Sequence, residues 1–281
     1  MSNLFFMAKR LCFSIMLLGT TLLAPAQNDS VWIQKWAIPA PDVKSFFTDH
    51  LLQCYLLTPS QELIKYGPDG LEQFRYNNRR LGTLARVDVT NAFNLLLYYP
   101  DYQTALTLDR TLSKTGEWNL LSFGFLNVPV VATSADNQLW LFDAADQRLK
   151  KIGPDGVVLV QSDNLMQVLG YSLQPTCLLD RGNLIYLSDP DRGIIVFDAI
   201  GQYHFTMPLP GITDFQMLHD GGLIYYQKAG VLWQYDARIP DTTALPVPGS
   251  FGADAKFQLQ RGHLFVLSAG QVRLFALGPL K

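Results

Sequence analysis

Residues 184–201, LIYLSDPDRGIIVFDAIG, contain two apolar runs joined by a polar turn. Two β-rich runs separated by Asp, Pro and Gly are typical of a β-hairpin. The runs are apolar almost without interruption, which favours strands that are buried on both faces. This stretch therefore predicts a hairpin in the interior of a packed β architecture.

The same pattern recurs along the chain. The six first runs begin, in chain order, at Cys54, Leu95, Val130, Leu184, Leu223 and Leu264. Neighbouring starts are 41, 35, 54, 39 and 41 residues apart, near the ~40–50 residues of a four-stranded propeller blade. Weaker strands flank the hairpins, for example at residues 203–207 and 214–217. The repeats predict an all-β, six-bladed β-propeller. The long interval around residues 161–174 leaves an insertion loop or an extra strand pair open, and with it five or seven blades.

The two ends of the chain predict how the ring closes. The last copy is followed by few residues, so its blade lacks an outermost strand. Residues 31–38, VWIQKWAI, form a strand that belongs to no copy. We expect this N-terminal strand to complete the last blade, because a closed ring has no free sheet edge.

The first residues have the layout of a secretory leader. Lys9 and Arg10 precede an apolar stretch at residues 11–23, and Ala24-Pro-Ala26 offers a small-residue cleavage site. The apolar stretch is shorter than the ~20 residues of a membrane-spanning helix. The sequence thus predicts a signal peptide at 1–26 and one propeller domain at 27–281, in the periplasm or at the surface of a Gram-negative bacterium. An uncleaved N-terminal anchor is the alternative.

Charge argues against a nucleic-acid partner. Removal of Lys9 and Arg10 would leave 20 basic and 24 acidic residues, a formal charge of −4. A nucleic-acid-binding domain needs a basic face. Cys54 and Cys177 would remain, in the first copy and before the fourth hairpin. These copies face each other across a six-membered ring, beyond the ~7 Å over which a disulfide can form, so we expect two buried free thiols.

The fourth copy resembles an NHL repeat through Leu187-Ser-Asp-Pro-Asp-Arg-Gly-Ile-Ile-Val-Phe-Asp-Ala-Ile-Gly201, and residues 132–143 of the third copy resemble it more loosely. The resemblance implies a six-bladed propeller that binds a partner on one face. The Asp after the first run is replaced in the other copies, and no Trp-Asp ending of the WD40 class is present. Fold transfers from such a broad family better than function does.

The sequence contains no motif for nucleophilic, nucleotide-dependent or redox chemistry. Some propellers hold a divalent metal near the channel mouth. The available groups are Asp88, Asn91, Asp214 and His219, with Asp189 and Asp191 in a hairpin loop. Their spacing matches no metal motif, and turn residues that bond their own backbone explain them better. The sequence thus predicts no cofactor, no metal and no enzymatic activity.

A binding rim is the functional prediction that remains. Hairpin loops and the connections into innermost strands share one face of a propeller, and Arg and Tyr are favoured in interface hot spots. The predicted partner-binding residues are Arg79, Arg80, Arg86, Asp88, Trp118, Tyr171, Asp189, Asp191, Arg192 and Asp214. Alternatively, Trp118 and Tyr171 fill blade junctions. We predict an exported, non-catalytic scaffold with a protein partner in the cell envelope. A metal-dependent hydrolase or lactonase, and sugar or peptide binding at the channel mouth, are alternatives, and the oligomeric state is open.

Overall fold

In a computed structural model, which describes residues 32–43, 45–218 and 222–278, the chain forms six four-stranded antiparallel sheets. Each sheet is one blade. From the innermost strand outwards they are blade 1, β2 (Ser45–Thr48), β3 (Cys54–Leu57), β4 (Glu62–Tyr66) and β5 (Glu72–Asn77); blade 2, β6 (Arg86–Asp88), β7 (Leu95–Tyr99), β8 (Thr104–Leu108) and β9 (Lys114–Asn119); blade 3, β10 (Val131–Thr133), β11 (Leu139–Asp143), β12 (Arg148–Ile152) and β13 (Val158–Gln161); blade 4, β14 (Cys177–Arg181), β15 (Leu184–Asp189), β16 (Gly193–Asp198) and β17 (Tyr203–Met207); blade 5, β18 (Phe215–Met217), β19 (Leu223–Lys228), β20 (Val231–Asp236) and β21 (Asp241–Ala244); and blade 6, β22 (Lys256–Gln260), β23 (His263–Ser268), β24 (Gln271–Leu277) and β1 (Trp32–Pro39). The prediction of a six-bladed β-propeller is confirmed.

The N-terminal strand closes the ring as expected. β1 runs antiparallel to β24, from the pair Trp32–Leu277 to the pair Pro39–Gln271, with one irregularity between Gln34 and Trp36. β2 of blade 1 lies beside β22 of blade 6, which completes the circle. Strands from both ends of the chain therefore share one blade.

The predicted third copy is displaced by one strand. In the other five copies the two apolar runs are the second and third strands of a blade. In the third copy they are the first and second strands, β10 and β11, and the third strand is β12. The apolar pattern does not reveal β12, because its sequence, Arg-Leu-Lys-Lys-Ile, carries three charged residues. With this correction the second strands of successive blades begin 41, 44, 45, 39 and 40 residues apart. This spacing is more regular than that of the apolar runs found in the sequence.

The long interval before blade 4 is a connection, not a further strand pair. It contains the short helix α1 (Leu165–Leu169), whose first turn is capped by the Asn164 side chain accepting a hydrogen bond from Gln167 N. Gly170 ends the helix at a φ of 81°, a left-handed conformation that glycine adopts without strain. This resolves the choice among five, six and seven blades in favour of six.

The hydrophobic core is divided among the blade interfaces. Six clusters of buried side chains occur among the described residues, each combining two neighbouring blades. Tryptophans support two of these contacts from outermost strands: Trp36 Nε1 donates to Pro68 O at 2.8 Å, and Trp118 Nε1 donates to Gly153 O at 3.1 Å. In both cases the indole reaches a Gly-Pro-Asp-Gly turn of the next blade. Apolar packing between blades thus fixes the ring.

Cys54 and Cys177 are buried and free, as predicted from the ring geometry. The predicted signal peptide and its cleavage site lie outside the described residues. In the part of the chain that the structure describes, no helix has the length and apolar character needed to cross a membrane.

Candidate binding site at the channel mouth

A large cleft lies at the end of the channel where the innermost strands begin. This mouth cleft has a volume of about 770 Å³ and is walled by blades 5, 6 and 1. Its lining includes the beginnings of β2, β18 and β22, the turn Ala229–Gly230 and the connection that ends at Ala255. Small-molecule sites commonly occupy ~300–1,000 Å³, so the cleft has the size of a ligand site.

A side-chain pair crosses the channel beneath this cleft. Arg86 begins the innermost strand of blade 2, and Asp214 immediately precedes the innermost strand of the opposite blade 5. Arg86 Nη1 donates to Asp214 Oδ1 at 2.8 Å, and Arg86 Nη2 donates to Cys177 Sγ of blade 4 at 3.2 Å. The Cys177 thiol in turn donates to Asp214 Oδ1 at 3.4 Å. The three side chains tie blades 2, 4 and 5 together.

Burial and neighbouring charges act in opposite directions on Arg86. Burial alone would lower the pKa of the guanidinium, but Asp214, Cys177 and Asp88 together outweigh it and raise that pKa above its ordinary value. Burial also raises the pKa of Cys177 to about 12. Arg86 is therefore a cation, and Cys177 is a protonated thiol with little nucleophilic character.

Below the pair lies a smaller inner cavity of about 90 Å³. Five innermost strands contribute to it, together with Asp49 and His50, which follow β2. The volume has room for a few ordered waters. Asp214 lines both this cavity and the mouth cleft, so the Arg86–Asp214 pair lies at the boundary between them. A ligand of ordinary size fits only above the pair.

Two arginines line the inner cavity. The Nε atoms of Arg86 and Arg181 are buried without a hydrogen-bond partner among the described residues. Burial lowers the pKa of Arg181, against the opposing influence of Asp88 and Asp180. This polar lining suits ordered water in the channel.

Asp88 is at the far end of its strand and not on the rim. It is buried, and its carboxylate accepts hydrogen bonds from Thr90 N at 2.9 Å and from Thr133 N of blade 3 at 3.0 Å. Asp189 is likewise buried and accepts from Asp191 N and Gln174 N. Both aspartates organise backbone, which is the turn role that the sequence analysis favoured over metal binding.

Only some of the predicted partner-binding residues are exposed on the rim. Arg192, exposed in a hairpin turn of blade 4, stacks over Tyr171 with its guanidinium carbon 4.1 Å from the ring centre. Arg79 and Arg80 are exposed in the connection into blade 2. Trp118, in contrast, is buried between blades 2 and 3. Trp118 therefore fills a blade junction and has no exposed surface for a partner.

The metal candidates do not converge. Asn91 caps its own turn through Phe93 N and contacts Asn137, and His219 lies outside the described residues. Across residues 32–43, 45–218 and 222–278, no three His, Cys, Asp or Glu side chains are grouped as metal ligands would be.

Sequence reasoning missed several residues of the site. The sequence predicts Cys177 only as a buried free thiol, but its sulfur has two polar partners, Arg86 and Asp214. Gln216 and Gln258, which line both cavities, carry no motif. The signal that could have found them is their place on predicted innermost strands, where alternate side chains face the channel.

Comparison with known proteins identifies the fold but no family. No protein-family model and no curated protein matches the sequence. Streptogramin B lyase is similar in structure, with a TM-score of 0.58 and 10% identity over 88% of this chain and 98% of the lyase. The β-propeller domain of Cps50 (Swd1) from Myceliophteria thermophila has a TM-score of 0.59 and 8% identity over 88% of this chain and all of the domain. BBS1N, solved in complex with ARL6DN, has a TM-score of 0.57 and 10% identity over 90% of this chain and 98% of BBS1N.

These comparisons correct one prediction. The absence of catalytic motifs led to the prediction that the protein is not an enzyme, and this is overturned because an enzyme, streptogramin B lyase, has a similar fold. At 10% identity the likeness extends to the fold alone, so lyase chemistry does not transfer. The six-bladed fold predicted through the NHL resemblance is present, but no family model supports membership of that family.

Proposed function

We propose that this protein binds a small polar ligand, of the sugar or short-peptide class, in the mouth cleft. The observation that carries the proposal is a cleft of ligand size at the channel mouth, lined in part by Asp214 of the cross-channel pair. Concave sites with a few fixed polar groups are the usual form of small-molecule sites.

The lining of the cleft supports a ligand with hydroxyl or amide groups. Gln216 Oε1 accepts from Leu259 N at 3.0 Å, so its amide is held in one orientation. Gln227 bridges blades 5 and 6 by donating to Ala255 O and accepting from Phe257 N. Tyr225 and Phe47 add aromatic surface. Amides held in place beside aromatic surface can recognise a polar ligand with little loss of side-chain entropy on binding.

Filling the cleft should abolish binding. Ala253 is exposed in a turn at the cleft, with its Cα 3.4 Å from the position of a Cβ on Gly230. The change Ala253→Trp would place an indole in the opening without removing a described hydrogen bond. We expect thermal-shift titration with a panel of neutral mono- and disaccharides and di- to tetrapeptides to give a hit with the wild type and none with the variant.

The matched control is Leu126→Trp, which adds an indole at a strongly exposed position between blades 2 and 3, away from the cleft. It should bind like the wild type. A hit that survives Ala253→Trp would exclude the mouth cleft as the site.

A second candidate function is protein binding on the same rim, by an exported form of the protein. The observation that favours it is the Arg192–Tyr171 stack, which holds an exposed arginine in place. Arginine and tyrosine are enriched among side chains that dominate interface energies. Export follows the predicted leader at 1–26 and would bring the rim to a partner in the cell envelope.

One experiment tests both parts of this second candidate. The mature protein recovered from the native host should begin at Gln27 and fractionate with the periplasm or surface. Used as bait against envelope extract, it should retain a partner that the triple variant Arg79→Ala, Arg80→Ala, Arg192→Ala recovers about tenfold less well. Arg238→Ala, an exposed arginine in the outer turn of blade 5, serves as control. Equal recovery by both variants would exclude the rim.

A further inference from the structure

Two lysines occupy equivalent positions in blades 1 and 3. Lys65 on β4 is paired across the sheet with Tyr55, and Lys151 on β12 is paired in the same way with Trp140. Each lysine is one residue before the end of its strand. Each ammonium lies over the aromatic ring of its pair, at 5.7 Å and 5.6 Å from the ring centres. The repeat thus builds the same lysine–aromatic contact twice.

The two lysines differ in their counter-charge. In blade 3, Lys151 Nζ is 3.0 Å from Asp136 Oδ2. In blade 1, Lys65 is 1% exposed, and its described hydrogen bond is a donation to the Arg110 carbonyl at 2.6 Å. Within the described residues, Lys65 has no carboxylate partner within 4.0 Å. A buried ammonium without an anionic partner is unfavourable.

The nearby carboxylates are engaged elsewhere. Asp49 accepts from Leu51 N, Gln53 N and the Tyr55 hydroxyl. Asp109 accepts from the Thr111 backbone and hydroxyl and from Ser113 N. Burial accordingly lowers the pKa of Lys65, and Arg110 lowers it further, against the opposing influence of Asp49 and Asp109. The protein does not supply blade 1 with the carboxylate that it supplies to blade 3.

Lys65 lines an open cleft of about 490 Å³. Its lining residues come from the outer part of blade 1 and the facing turn of blade 2, and are Gln53, Lys65, Gln73, Phe74, Arg110 and Thr111. The set combines two cations, Lys65 and Arg110, with the side-chain amides of Gln53 and Gln73. Phe74, partly exposed and stacked on the Lys65 ammonium at 5.8 Å, adds an apolar wall. Two cations beside hydrogen-bond donors are the features that bind phosphate, sulfate or carboxylate groups.

We propose that this Lys65 cleft binds an oxyanion, which occupies the place that Asp136 takes beside Lys151 in blade 3. The group can be a free anion or the charged end of a larger ligand. Its position on the outer side of blades 1 and 2 separates it from the mouth cleft, so the proposal does not rest on the ligand proposed there.

The test is a titration with inorganic phosphate at constant ionic strength maintained with chloride. A ligand that binds only the folded state raises the melting temperature. At a hundred times the dissociation constant we expect a rise on the order of 5 °C beyond that in chloride. A second titration uses phenyl phosphate. If phenyl phosphate binds more tightly than phosphate, through contact of its ring with Phe74, the cleft binds the charged end of a larger ligand. If the two bind equally, the cleft binds a free anion.

Two matched variants make the result specific. Lys65→Met keeps the length of the side chain and removes its charge without leaving a carboxylate partner unpaired, so the variant should fold. We expect it to weaken phosphate binding at least ~tenfold, since a charge-assisted hydrogen bond of ~1.5–3 kcal/mol is lost. Lys151→Met should leave the affinity within about twofold. No phosphate-specific rise in the wild type, or an equal rise in Lys65→Met, would overturn the proposal.

Discussion

Deletion of residues 31–38 is expected to lower the melting temperature by more than about 10 °C. The deletion removes almost all of β1, and with it the buried Ile38 and the half-buried Trp32 and Trp36. Trp36 packs edge-on against Phe265 at 5.7 Å and donates to Pro68 O. At ~1.5–3 kcal/mol for each large buried side chain, roughly 4–6 kcal/mol is lost from a total stability of about 5–15 kcal/mol. Each kcal/mol corresponds to about 2–4 °C in a domain of this size.

Calorimetry on three proteins would separate the ring closure from a simple loss of residues. Gln34→Ala, at an exposed position of β1, should melt like the wild type. The deleted protein, supplied with a peptide of residues 31–40, should recover part of the lost stability, because the peptide can pair with the free edge of β24. The deleted protein should also aggregate more readily through that edge. An unchanged melting curve after deletion would mean that closure by β1 does not stabilise the ring.

The fold could be predicted from the sequence because the blades repeat one pattern of buried strands. The prediction failed locally at β12, where Lys150 and Lys151 interrupt the apolar run. The structure explains why those charges are tolerated. Lys150 is buried between Asp143 at 2.7 Å and Asp146 at 2.6 Å, and Lys151 is paired with Asp136. A charged residue in a buried strand needs such partners, and hydrophobic periodicity does not reveal them.

The candidate site was only partly predictable. Arg86 and Asp214 were both expected on one rim, since each begins or precedes an innermost strand. Their direct contact joins residues 128 positions apart and depends on side-chain direction, which strand assignment alone does not provide. The choice between the rim and a blade junction for Trp118 was left open for a similar reason. An aromatic residue near the end of a strand can face a neighbouring blade or the solvent, and the sequence pattern is the same in both cases.

The change Arg86→Met is expected to destabilise the protein by about 2 kcal/mol, a fall of roughly 4–8 °C in melting temperature. Methionine preserves much of the side-chain length but removes both hydrogen bonds across the channel. Loss of one partner from a fully buried pair costs ~3–5 kcal/mol. The smaller value is expected here because the Asp214 side chain is 54% exposed and can be hydrated once Arg86 is gone. The measurement is thermal or denaturant unfolding at fixed pH.

A double-mutant cycle shows whether this loss belongs to the cross-channel pair. Asp214→Asn should cost about 1 kcal/mol, and the double variant should be more stable than the sum of the two losses predicts, with a coupling of about 1 kcal/mol. Arg75→Met, which removes a solvent-exposed ion pair from the outer strand of blade 1, should leave the melting temperature unchanged. Additive losses would mean that Arg86 stabilises the ring through packing alone. A coupled loss would establish that the contact between Arg86 and Asp214 holds opposite blades together across the channel.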